Sequence, residues 1–291
     1  MHNNFSIVIP VYNEEDSIEE ALKRLQNYLS SKKYNYEIIC IDDKSTDNSG
    51  NILNNFKGIR VIHHKKNRGY GGALKTGIKN AKYDTIVIMD SDGQHKPEDI
   101  PKLLEAYDGF GTMVIGERKI YQTKASRILG KILLHKIANF IFKEDIPDIN
   151  SGFRVFSKKT ASKYLHLCSE RFSFTTSITI AYISNKYDLI YIPIDVQKRA
   201  GGASQVSFKT GFRTILKILE LGMVFKPLRV VLPLSFVFAI LGTFSFLHDL
   251  YYVNLTSTTI FLYSNAIIMF VFSLLAEQIN NIRMEIINRD C

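Results

Sequence analysis

The sequence predicts an α/β protein: a mostly parallel sheet with flanking helices, followed by amphipathic interface helices and two C-terminal transmembrane helices. Three observations carry that expectation. From residue 1 to about 195, short apolar runs alternate with helical patterns, as in strand–helix–strand units whose sheet is covered on both faces. Two long uncharged stretches lie near the C-terminal end. Acidic clusters follow three of the apolar runs, at the carboxyl ends of strands where open parallel sheets bind ligands.

The strands are expected at "FSIVI" (5–9), "YEIICI" (36–41), "IRVI" (59–62), "DTIVIM" (84–89) and "TMVIG" (112–116). Helical patterns fill about 15–31, 46–56, 71–81 and 97–107. The polar stretches "PVYNEED", "DDKSTD" and "DSDGQH" sit just past strands and are the first candidate sites. A dinucleotide-binding domain would need a glycine-rich turn after the first strand. That strand ends instead in Pro10-Val11-Tyr12-Asn13-Glu14. The glycines of "NRGYGGALKTG" (67–77) come after the third strand, where they suit a close backbone approach to phosphate or a plain turn and helix start equally well.

In the last quarter, Val230–Leu247 and Leu250–Ala276 carry no charge. Eighteen helical residues span about 27 Å, roughly one hydrocarbon core, so two membrane helices joined by a tight turn around "HDLYYVN" are expected rather than a buried hairpin of a soluble core. Pro233 and Gly242 make the first the weaker span. Between Ser207 and Arg229, five cations against the single Glu220 read as an amphipathic segment on the cytosolic leaflet, or as a helix docked on the globular part. Lys209, Arg213, Lys217, Lys226 and Arg229 precede the hairpin, Arg283 and Arg289 follow it, and its turn has no Lys or Arg. By the positive-inside rule the globular domain and both termini face the cytoplasm, with the protein integral to the cell membrane or endoplasmic reticulum. The N-terminal "MHNNFSIVIPVYNEED" lacks the basic region of a signal peptide. The expected division is 1–206 globular, 207–229 juxtamembrane, 230–278 hairpin and 279–291 tail.

A formal net charge of +9 and a pI near 9.3 point to an anionic partner: nucleic acid, a phosphorylated substrate or a membrane surface. Cys40, Cys168 and Cys291 are far apart and form no C-x-x-C pair, which supports neither a disulfide framework nor a thiolate zinc site.

Asp90 and Asp92 sit directly after an apolar strand. If strand geometry persists, their side chains share one side, with Cα atoms roughly 6.5 Å apart. Two hard oxygen ligands there suit Mg²⁺ or Mn²⁺, which also take substrate phosphates. D-x-D alone is a weak signal. With "IVIPVYNEEDSIEEAL", "IDDKSTDNSG", "NRGYGGALKTGI", "VIGERK", "INSGFRVFSK" and "IPIDVQKRAGGAS" in this order, the chain resembles the family 2 glycosyltransferases of GT-A fold. Within them it is similar to the dolichyl/polyprenyl-phosphate sugar transferases that carry a C-terminal membrane hairpin.

The resemblance implies roles for individual residues. Pro10, Tyr12, Glu14 and Asp43 would line the nucleoside pocket, and Asp90, Asp92 and Gln94 would hold metal and diphosphate. Arg118, Arg127 and Arg199, with Ser204, would bind the acceptor phosphate, and the arginines also the leaving diphosphate. Asp148 stands where many members carry a base-like aspartate. Tyr12 can instead cover the sheet end, Asp43 can cap a helix, and Arg127 can be a solvated helix residue. The implied reaction is inverting transfer of one sugar from a UDP- or GDP-sugar to polyprenyl (undecaprenyl or dolichyl) phosphate, assisted by Mg²⁺ or Mn²⁺. The runner-up is a family 2 transferase acting on a non-lipid or glycan acceptor.

Lys44 replaces the small residue usual after the paired aspartates, and Gln205 stands where the last motif expects lysine, with Lys209 a possible substitute. His95 reads as structural, and His63-His64 as a solvated strand end. A processive synthase would carry Q-x-x-R-W, but the chain has no tryptophan. Nucleic acid is not an expected partner. The sequence does not give the oligomeric state; the resemblance admits a homo-oligomer, since related hairpin-bearing enzymes often assemble through their membrane part.

Overall fold

β1 (Asn4–Val11) is buried along every residue but its first, and its two faces meet different layers. Phe5, Ile7, Ile9 and Val11 join one core cluster with Ile18, Leu22, Leu25 and Leu29 of α1 (Ile18–Ser30). Those helical positions recur at three- and four-residue spacing and so form one apolar stripe. On the other face Val8 lies against Gly77 of α3 (Tyr70–Asn80). A side chain at 77 would place its Cβ 2.3 Å from Val8 Cγ1, so glycine there lets the helix sit directly on the sheet.

The computed structural model describes residues 4–118, 136–137, 139–144, 146–171, 173–197 and 208–289. The chain divides into two compact units: Met1–His135 with Asp145–Thr214, and Lys136–Glu144 with Ile215–Cys291.

The first unit contains a seven-stranded sheet in the order β3-β2-β1-β4-β6-β5-β7. Its remaining strands are β2 (Asn35–Asp42), β3 (Arg60–His63), β4 (Thr85–Ile88), β5 (Thr112–Arg118), β6 (Arg154–Ser157) and β7 (Asp188–Ile194). The five strands read from the sequence are present and mostly parallel, as expected. β6 runs antiparallel to both neighbours, β4 and β5, while β5 and β7 are parallel. The helices α2 (Ser49–Asn55), α4 (Ile100–Ala106), α5 (Lys158–Tyr164) and α6 (Phe174–Ser184) complete the layers. Because β6 is reversed, its first residues lie at the same sheet edge as the last residues of β1, β2, β4, β5 and β7.

α7 (Phe208–Phe225) crosses the division between the units. In the second unit, α8 (Pro227–Tyr251) and α9 (Ser257–Arg289) pair as a hairpin. Pro227 opens α8 at a position where its missing N–H costs nothing. Pro227–Tyr251 and Ser257–Arg283 are long and apolar enough to cross a membrane, with mean hydropathy 2.3 and 2.0. Phe236, Ile240, Phe244, Ile267 and Phe270 point outward, as side chains facing lipid would. Polar groups sit between the helices: Ser235 Oγ donates to the Ala266 carbonyl at 2.8 Å, and Ser245 and Thr259 share a hydrogen bond at 2.6 Å. At the turn Asp249 accepts from the Thr256 N–H and from the Thr256 and Thr259 hydroxyls, capping α9. At the other end Asn280 donates to the Phe225 carbonyl and Arg229 to the Ile141 carbonyl.

Candidate nucleotide and metal site

The loops after β1 and β2 are laced together. The Asp43 N–H donates to the Val11 carbonyl, the Glu14 N–H to Ser49 Oγ, and the Thr46 N–H to Asn13 Oδ1. Pro10 is buried in β1 opposite Ile41, Tyr12 is exposed just beyond the strand, and Glu14 accepts from Ser17 Oγ at 2.9 Å. Lys44 adopts φ +65°, in the left-handed region that a residue with a Cβ rarely takes.

Asp42 and Asp43 are both buried and hold opposite sides of this loop region. Asp43 accepts from His64 Nδ1 at 2.6 Å and from the backbone N–H groups of Arg68 and Gly69 at 2.8 and 2.6 Å. Asp42 accepts from the Ser45 N–H and from His63 Nδ1. Burial raises the Asp42 carboxyl, but the hydrogen bonds from Ser45 and His63 outweigh it and hold it below the usual carboxylate range. The expectation of a solvated His63-His64 strand end therefore holds for His63, whose side chain is 41% exposed, and is corrected for His64. His64 is 7% exposed and bridges Asp43 to Thr76, and His63 bridges Asp42 to Asn54. Two carboxylates at the strand end next to β3 supply these partners, a pairing between residues 21 apart that no local pattern announces.

β4 stops at Ile88, so Asp90 and Asp92 lie past the strand, in a turn where Gly93 has φ +71°. The strand geometry on which a shared side was expected does not reach them. The turn is ordered instead by hydrogen bonds. The Gln94 N–H donates to Asp92 Oδ1 at 3.1 Å, and the Asp90 N–H to His95 Nδ1 at 3.3 Å, so the ring proton of His95 sits on Nε2. His95 is buried and stacked on Phe153 at 4.9 Å, packed as a structural residue. Gln94 exchanges two hydrogen bonds with the backbone of Gln197, whose side chain accepts from Arg24.

Asp90 has two further neighbours that the sequence reading passed over. Tyr70 donates its hydroxyl to Asp90 Oδ1 at 2.8 Å. On the other side Gly152 comes so close that a Cβ there would lie 2.4 Å from Asp90 Oδ2. Tyr70 stood inside "NRGYGG", a stretch read only for its glycines.

Arg118, at the end of β5, is held by Asp148 through Nε to Oδ2 at 2.7 Å and Nη2 to Oδ1 at 2.8 Å. Burial alone would lower the Arg118 pKa, but the hydrogen bonds and charge of Asp148, then the charge of Asp90, raise it above the ordinary value. Asp148 is buried. Beneath the loop lies Arg154, fully buried, with its donors spent on the carbonyls of Ile149, Ser151 and Thr175 and on Thr179 Oγ1. Desolvation pulls its pKa down to about 10, against the charge of Asp148. A charged residue in "FRVF" reads locally as a solvent-facing strand position, so its interior place was not legible.

Strand ends thus bring together Pro10, Tyr12, Glu14, Asp43, Asp90, Asp92, Gln94, Arg118 and Asp148 at one edge of the sheet. Arg127, Arg199 and Ser204, with Gln205, lie outside the described residues. Among the described residues no group of three or more His, Cys, Asp and Glu side chains could hold an ion by itself. Two carboxylates with the other positions left to diphosphate oxygens and water is a donor set that suits Mg²⁺ or Mn²⁺. The residues fit an ion that arrives with a nucleotide.

A parallel sheet with one reversed strand and paired aspartates past β4 has the architecture of a GT-A glycosyltransferase. The chain belongs to glycosyl transferase family 2, whose profile matches residues 6–165, and the GtrB C-terminal hairpin matches residues 226–282. It is 33% identical over 233 residues to the dolichol-phosphate mannosyltransferase of Pyrococcus furiosus, covering 74% of this chain and 63% of that protein. The undecaprenyl-phosphate 4-deoxy-4-formamido-L-arabinose transferase of Edwardsiella ictaluri is 32% identical over 250 residues, 81% of this chain and 73% of its own. Among solved structures, glucosyl-3-phosphoglycerate synthase from Mycobacterium tuberculosis, in complex with Mn²⁺, uridine-diphosphate and phosphoglyceric acid, matches with TM-score 0.61 and 17% identity. That match covers 76% of this chain and 78% of the other, and it shows a shared fold.

Proposed function

We propose that this family 2 enzyme transfers a single sugar, with inversion, from a UDP- or GDP-sugar to polyprenyl phosphate of the undecaprenyl or dolichyl type, at the cytosolic face of the membrane that holds its hairpin. The observation that carries the reading is the state of Asp148, which is buried with both oxygens bonded to Arg118. A carboxylate committed in this way is a poor proton acceptor, and an alcohol acceptor would need one. A lipid phosphate is already an anion at neutral pH and needs cations that hold it against a second anion. Arg118, oriented by Asp148, serves that need, and Arg127, Arg199 and Ser204 join it on their motif positions.

On the donor side, Pro10, Tyr12, Glu14 and Asp43 receive the nucleoside, and Asp90, Asp92 and Gln94 the diphosphate. Asp90 and Asp92 would hold Mg²⁺ or Mn²⁺, which when bound screens the diphosphate and stabilises it as a leaving group. Names of relatives support the lipid acceptor: both the Pyrococcus and the Edwardsiella proteins are called after a polyprenyl phosphate. The two apolar helices and the matched hairpin support membrane residence, and the cations flanking them support a cytosolic catalytic domain.

The test is a donor screen. Full-length protein in detergent is given undecaprenyl or dolichyl phosphate, Mg²⁺ or Mn²⁺, and radiolabelled UDP- and GDP-sugars, followed by organic extraction. Label in the organic phase only when lipid phosphate and metal are both present is the expected result and names the sugar. Nucleotide release with no label in lipid moves the acceptor to a non-lipid molecule.

A further inference from the structure

We infer that Tyr70 is the positioning residue of the metal site, the hydroxyl through which the glycine-rich loop sets the orientation of Asp90. The inference rests on the metal reading above. Tyr70 is the first residue of α3, and its hydroxyl reaches a carboxylate twenty residues further along, at 2.8 Å from Oδ1. The opposite oxygen, Oδ2, occupies space that any side chain at Gly152 would fill, since a Cβ there would lie only 2.4 Å away. The Asp90 backbone is pinned by its N–H to His95. A carboxylate held at one oxygen by a hydroxyl and at its backbone by a hydrogen bond has less freedom to lose when it takes an ion, whereas an unrestrained one must be ordered at the moment of binding.

Tyr70 is itself held by the nucleoside end of the site. The N–H groups of Arg68 and Gly69, the two residues before it, both donate to Asp43. Gly69 takes φ +82°, which only glycine adopts without strain and which turns the chain into α3. A continuous line of contacts therefore runs Asp43, loop 68–69, Tyr70, Asp90.

The experiment is direct Mn²⁺ binding, read from the free-ion electron paramagnetic resonance signal. It uses the detergent-solubilised full chain with saturating UDP or GDP in separate arms. Wild type, Tyr70→Phe, Gly152→Ala and Asp92→Ala are compared. Removing a group that orients a metal ligand weakens affinity by about tenfold or more, and Tyr70→Phe is expected to do so while nucleotide binding without metal stays unchanged. Gly152→Ala, which displaces the same carboxylate from its other edge with Tyr70 intact, is expected to weaken Mn²⁺ in the same way. Equal Mn²⁺ affinity in wild type and Tyr70→Phe overturns the role of Tyr70 and leaves the metal site standing. A matching loss of metal-free nucleotide binding in Tyr70→Phe also overturns it, because the hydroxyl would then be supporting the loop alone. Absence of Mn²⁺ uptake by wild type in both nucleotide arms overturns the metal reading and this inference together.

Discussion

Arg118 and Asp148 meet in a two-bond fork, Nε to Oδ2 and Nη2 to Oδ1, across thirty residues of chain. The fork orients a guanidinium that still has 36% of its side chain exposed, so Arg118 faces the site with its geometry fixed. Replacing Asp148 with Asn keeps the shape and removes the charge. Asp148→Asn is expected to lower kcat/KM for the lipid acceptor by about 100-fold through misplacement of Arg118, with KM for the nucleotide sugar little changed. Steady-state kinetics with each substrate varied separately would show this, and a loss confined to the donor would refute it.

Asp92→Ala is expected to abolish turnover and, with it, the dependence on Mg²⁺ or Mn²⁺. The check is a metal titration of activity in wild type and variant. Full activity in the variant would remove Asp92 from the metal site.

Arg154→Met should cost about 2–3 kcal/mol, because the buried Ser151 carbonyl and Thr179 hydroxyl lose the guanidinium as a hydrogen-bond partner. Denaturant unfolding of the detergent-solubilised protein measures it. Arg154→Lys cannot supply the same set of bonds and is expected to recover only part of the loss.

Gly77→Ala drives a methyl toward Val8 Cγ1 at 2.3 Å and Ile41 Cγ1 at 3.3 Å, at the contact of α3 with β1 and β2. Overpacking of this kind costs about 1–3 kcal/mol, so the melting temperature falls. Val8→Ala in the same chain should restore part of it, and no restoration would mean that the cost arises elsewhere.

Asp42 links stability to pH. Its folded carboxyl titrates below the unfolded one, so its contribution is present above about pH 4 and disappears as the pH falls through the folded value. The melting temperature of wild type is therefore expected to exceed that of Asp42→Asn near pH 6, and the gap to shrink as the pH falls below about 4. A constant gap across that range would contradict the assignment.

Much of the fold was legible. The strands of the first half carry dense apolar runs, as in "IVI" and "EIICI", and the helices between them repeat apolar positions at helical spacing, which local pattern can read. The hairpin declared itself by length without charge. What escaped was decided by partners distant in sequence. β6 is reversed because it pairs with β4 and β5 at once, and nothing within "RVFS" states its direction. His64 is buried because Asp43 and Thr76 flank it, and Arg154 because three carbonyls and a threonine surround it. In the candidate site the motif residues were visible one by one. Their arrangement was not: Asp148 orients Arg118, and Tyr70 and Gly152 bracket Asp90.

The reversed direction of β6 inverts the usual reading of where a strand matters. Along β1, β2, β4, β5 and β7 the residues that follow the strand face the site, whereas for β6 it is those that precede it, 148–152. Saturation mutagenesis scored by activity should therefore show one stretch with opposite polarity to all the rest. Its intolerant positions come before the strand, and the positions after it, where Ser157 caps α5, respond to stability alone.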